Sequence, residues 1–118
     1  MEEAMVCSCF NEASQLYQQC KEKINERASF IAKETGMNEN SARDYMQDFF
    51  FMLTGERLKR VMAENDVRYY FSQMHTVYGE NGLQNAISSL EKYLSYDNQK
   101  HPSLQKLIDE FKKQIYKI

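Results

Sequence analysis

The sequence predicts an all-α protein: a compact bundle of about five helices with a long first helix. Three observations carry that prediction. Only four Gly and one Pro occur in 118 residues, too few breaking residues for a turn-rich sheet fold. Apolar residues recur at steps of three and four in five separate stretches. No apolar–polar alternation lasts over a useful length, so no strand competes. One helical domain is expected over 1–118, with a long amino-terminal helix over 1–35 and a helical core over 40–116.

The first stretch, Glu3 to Glu34, carries the stripe Phe10, Ala13, Tyr17, Cys20, Ile24, Ala28 and Ile31. The period is helical and nearly heptad, so the stripe fits packing within the domain or homodimerisation. Gly36 is placed to take the left-handed position after the helix end. A second helix starts near Asn38 or Asn40, with Asn40 as an N-cap. Ala42, Tyr45, Met46, Phe49, Met52 and Leu53 form its inner face. Phe50 and Phe51 widen that face to the arc of a central helix, and Gly55 stops it. Glu56 to Glu64 reads either as a short helix or as an irregular crossing, with Leu58, Val61 and Met62 facing in.

Asn65 or Asp66 is the expected cap of the next helix, whose face is Val67, Tyr70, Phe71, Met74 and Tyr78 and whose end is Gly79. After Gly82 comes the cleanest period in the chain: Leu83, Ala86, Ile87, Leu90 and Leu94. Asp97 to Lys100 reads as a loop. Pro102 then stands where a first helical turn tolerates it. The last helix presents Leu104, Leu107, Ile108, Phe111 and Ile115.

Composition narrows the function classes. A net charge of −2 argues against a strongly basic nucleic-acid binder but leaves room for a local basic face. No apolar run is long enough to span a membrane, and the acidic start makes a poor secretory signal. The cytoplasm is the expected compartment. Cys7, Cys9 and Cys20 are odd in number and lack C-x-x-C spacing or convergent histidines, so they read as ordinary thiols, with no metal site and no cofactor expected.

The stretch from Ser41 to Tyr96, SARDYMQDFFFMLTGERLKRVMAENDVRYYFSQMHTVYGENGLQNAISSLEKYLSY, resembles a small bacterial all-helical module. That module occurs in uncharacterised proteins and at the amino-terminal side of some HNH-type restriction endonucleases. The matching pieces are Ala42, Tyr45, Phe49, Met52, Leu53, Gly55, Tyr69, Tyr70, Tyr78, Gly79, Leu83, Ala86, Ile87 and Tyr93. The resemblance covers 40–115, and residues 1–35 lie outside the pattern. An HNH nuclease needs histidines and an asparagine placed round a metal. His75 and His101 stand in no such context. The resemblance therefore implies a targeting, docking or regulatory role rather than DNA cleavage.

Two sets of residues are candidate sites. Arg57, Lys59 and Arg60, with Arg43 and Arg68 nearby, form a basic group able to meet phosphates. Glu56, Glu64 and Asp66 dilute it, and a solvated charged turn accounts for it as well. Tyr69, Tyr70 and Tyr78 concentrate aromatic surface suited to a pocket, although their helical spacing also suits a core. The helix after Gly82 carries Gln84, Asn85, Ser88, Ser89, Glu91 and Lys92 on its outer side. Gln and Asn can read adenine edges, but no basic residue precedes Lys92 to hold phosphates. Serines lack a nucleophile context, Asp109 and Glu110 point apart on a helix, and no phosphate loop occurs.

The leading expectation is a non-catalytic helical interaction or accessory domain linked to restriction or nucleic-acid defence, with a protein partner or a second copy. A weak nucleic-acid-binding domain using the turn at 57–60 is the first alternative. A small-molecule sensor with an interhelical aromatic pocket is the second.

Overall fold

The computed structural model describes residues 3–19, 24–97 and 101–115. Among them stand five α-helices and no strand: α1 (Glu3–Gln19), α2 (Ile24–Thr35), α3 (Glu39–Thr54), α4 (Glu64–Tyr96) and α5 (Pro102–Ile115). The chain divides into two units, Met1–Phe50 and Phe51–Ile118.

In the first unit the expected single long helix is replaced by α1 and α2, which pack on each other. Glu12 and Arg27 make an ion pair at 3.4 Å. Fifteen residues of one straight helix would separate them by roughly 22 Å. Phe10, Ala13, Ala28 and Ile31 of the expected stripe are buried. The side chains of Tyr17, Cys20 and Ile24 lie outside the described residues. Phe49 of α3 meets Phe10 edge to face at 5.0 Å between centroids, a favourable aromatic geometry.

The joint between α2 and α3 follows local rules. Gly36, at φ 76°, donates its N–H to Ala32 O at 3.0 Å and so satisfies a terminal carbonyl of α2. Asn38, not Asn40, caps α3. Its side-chain oxygen accepts from the Asn40 and Ser41 amides at 2.9 and 3.2 Å, while its carbonyl accepts from Ala42 at 2.9 Å. Those are the donors an N-cap is placed to satisfy.

In the second unit, Glu56 to Ala63 contains no helix, and Leu58 and Met62 from it are buried. α4 begins earlier than the expected Asn65 or Asp66 cap. Ala63 holds the capping position with no side-chain bond, and its carbonyl accepts from both the Asp66 and the Val67 amides at 3.0 Å. Asp66 instead lies in the first helical turn, where the helix dipole favours a negative charge.

Gly79, at φ 75° and ψ −164°, breaks the helical path of α4, where the sequence places an end. The next helical run follows at once, so Gly82 lies inside helix rather than in a turn. The boundary expected at Gly79 thus persists as a kink within α4, and a further one is gained between α1 and α2. Packing of α4 with α5 closes this core: Phe71 meets Phe111 edge to face at 5.3 Å. Arg68–Glu110 at 3.0 Å and Lys112–Glu91 at 2.7 Å tie the same two helices at their margins.

Candidate interaction surface

The helix end at Gly55 builds the principal surface feature of the second unit. α3 leaves its last carbonyls without helical partners, as every helix does. Gly55 takes φ 78° and turns the chain. Three side chains of α4 then collect one of those oxygens, from Leu53, and those of Gly55 and Glu56 just past the helix end. Asn85 donates from Nδ2 to Leu53 O at 3.0 Å, and Lys92 donates from Nζ to Gly55 O at 2.7 Å. The Ser89 hydroxyl donates to Glu56 O. Positions 85, 89 and 92 fall on one helical face. The Leu58 amide returns a bond to Ser89 O at 3.4 Å, and the Leu58 side chain is fully buried. The turn is therefore pinned through its main chain at Leu53, Gly55, Glu56 and Leu58.

What the pinned turn presents outward is charge. Glu56, Arg57, Lys59 and Arg60 are exposed. The Arg57 guanidinium carbon lies over the Tyr96 ring, 3.9 Å from its centroid, and Lys59 Nζ lies 5.6 Å from the centroid of Phe51. Both are within cation–π range. Tyr96 is 69% exposed. Two cations of one turn thus each lie over an aromatic ring, one at the end of α3 and one at the end of α4.

The other predicted residues are distributed differently. Arg43 belongs to the first unit, where it donates to Asn40 Oδ1 at 2.8 Å and pairs with Glu39 at 3.6 Å. Arg68 is held between Glu110 at 3.0 Å and Glu64 at 3.9 Å. Neither joins the basic turn through any of these contacts. Tyr70 is fully buried core, while Tyr69 and Tyr78 are half-buried. A cavity of about 220 Å³ lies between α4 and α5, lined by Gln84, Ile87, Ser88, Glu91, Lys112 and Ile115. None of the three tyrosines lines it.

The remaining polar groups show what each is doing locally. Asn85, Ser89 and Lys92, which as a sequence suggest an outward-reading helix, face the turn instead. His101 Nε2 lies 2.8 Å from Asp97 Oδ2, across the joint between α4 and α5. Tyr93 stands beside this pair, its ring centroid 6.2 Å from that of His101. Burial, then the Asp97 charge and its hydrogen bond, push the Tyr93 phenol above its ordinary 10.0. Cys9 Sγ lies 3.6 Å from Met37 Sδ, and Cys7 accepts from Asn11 Nδ2 at 3.4 Å. Among the described residues no three His, Cys, Asp or Glu side chains are grouped to hold a metal ion, and no helix is long and apolar enough to cross a membrane.

Sequence reasoning missed Phe51 and Tyr96 as partners of the turn. Nothing local links Arg57 to a tyrosine 39 positions later. A signal for the anchors did exist: Asn85, Ser89 and Lys92 lie at i, i+4 and i+7, a polar line beside the apolar stripe. No family model matches the chain, and neither a curated protein nor a solved structure matches it.

Proposed function

We propose that this chain is a non-catalytic interaction domain whose contact surface is the pinned turn from Gly55 to Arg60 together with Tyr96. The observation that carries the reading is the Arg57–Tyr96 pair, a guanidinium held 3.9 Å over a ring that is 69% exposed. Tyr and Arg are the residue types that dominate binding energy at interfaces. Placing Arg57 on a turn anchored through its carbonyls, against Tyr96 at the end of α4, removes much of the ordering cost of binding. Resemblance to the module beside some HNH-type nucleases supports a docking role in restriction or nucleic-acid defence. The thiols Cys7 and Cys9 support the cytoplasm as the compartment.

The test is a photoreactive phenylalanine analogue at position 96 in protein made in its native cell, with position 80, an exposed site on α4, as control. A discrete macromolecular adduct from position 96, reduced by Arg57→Ala, is the expected outcome. No adduct, or equal adducts from both positions, overturns the reading.

A further inference from the structure

We propose that the Arg57–Tyr96 and Lys59–Phe51 pairs form a stacking platform for an unpaired stretch of nucleic acid. This rests on the reading of the turn as a contact surface and names what it takes. A nucleotide joins a flat π-system to an anionic phosphate. The surface offers both complements side by side. Tyr96 remains 69% exposed although Arg57 lies over it, so much of the ring is open to a base. Bases stack on aromatic rings and on guanidinium planes alike. Lys59, held near Phe51, and exposed Arg60 add positive potential for the sugar–phosphate backbone.

The same features disfavour the two nearest competitors. In a duplex the bases are already stacked, so Tyr96 would have no role. An acidic peptide would use the cations but gives no reason for an open ring beside them. Single strands use both elements. The anchors Asn85, Ser89 and Lys92 fix the turn beforehand, which suits a platform that must meet successive bases.

The experiment is fluorescence anisotropy with the full chain and a labelled, mixed-sequence single strand of about 12 nucleotides, a length within the range one small domain covers. Binding at low salt is expected. Tyr96→Ala should weaken it at least about fivefold, and Tyr96→Phe should hold it within roughly threefold, because stacking needs the ring and not the hydroxyl. Lys59→Gln should flatten the slope of log affinity against log salt by about 0.7. Circular dichroism of each variant separates lost binding from lost folding. No binding at low salt overturns the proposal, as does equal binding by folded Tyr96→Ala. Tighter binding of the same sequence as a duplex, or of a labelled oligoglutamate, overturns it too. A protein adduct at position 96 in the cell, with no single-strand binding in solution, would overturn this inference and leave the interaction reading standing.

Discussion

Lys92 Nζ lies 2.7 Å from the carbonyl oxygen of Gly55, which places a positive charge on the carboxyl-terminal end of α3. That end carries the negative pole of the helix and its unsatisfied carbonyls. The contact joins two positions 37 residues apart and does so through one side chain and one main-chain atom.

Lys92→Met keeps the aliphatic stem and removes the charge. It should lower stability by about 0.5–1.5 kcal/mol, the range for a charge at a solvent-accessible helix end. Ser89→Ala, at a fully buried site, should cost about 1–3 kcal/mol, because the Glu56 carbonyl loses its donor. Urea unfolding of the two variants checks the order. A Lys92→Met midpoint below that of Ser89→Ala would contradict it.

Two glycines in α4 should respond oppositely to what helix propensity alone says. A Cβ at Gly82 would lie 2.5 Å from Tyr78 Cβ and 3.0 Å from the Met74 carbonyl oxygen. Gly82→Ala should therefore destabilise by about 1–3 kcal/mol through overpacking, despite the roughly 1 kcal/mol that Ala gains in an open helix. A Cβ at Gly79 meets nothing within 4 Å, so Gly79→Ala bears only the strain of φ 75°, about 1–2 kcal/mol. Thermal unfolding of both variants measures the difference. A stabilised Gly82→Ala would show that the kink relaxes to admit a methyl group.

Phe49 is fully buried and stands edge-on to Phe10. Phe49→Ala should cost about 3–5 kcal/mol. Chemical denaturation followed by far-ultraviolet circular dichroism is the measurement, and a midpoint at the parent value would refute the packing.

Tyr93 makes the fold sensitive to alkali. Burial and Asp97 raise its phenol above 10.0, so the folded state favours the neutral form. The stability this confers is fully present below the unfolded value near 10 and is lost as pH rises through the raised folded value. Tyr93→Phe should therefore decline less steeply than the parent as pH rises above about 10. Parallel curves for the two proteins would remove Tyr93 from the account.

Features written into short spans of sequence were legible. Gly36, Gly55 and Gly79 all take positive φ, a conformation other residues resist, and each marks a helical break that the sequence already suggests. Phe71, Leu83, Leu107 and Phe111 are buried where their three- and four-residue spacing puts them. What failed was the joining of helices. No Gly or Pro falls between Phe10 and Ile31, and the apolar stripe runs on in phase, so periodicity alone could not separate α1 from α2. Capping failed similarly: Asn38 and Asn40 are equally good caps by type, and Ala63 is a poor one. Of the basic group, Arg57, Lys59 and Arg60 stay on one turn because they are neighbours in sequence. Arg43 and Arg68 are held by Glu39 and Glu110, and the Glu110 pairing spans 42 residues.

The side chains that anchor the turn grip main-chain oxygens, those of Leu53, Gly55 and Glu56. Every amino acid carries such an oxygen. Apart from Gly55, whose φ restricts it, and buried Leu58, the turn can exchange its outward side chains without disturbing the grip that holds it. Substitution at 56, 57 or 59 therefore changes the charge this face carries while those main-chain bonds stay in place.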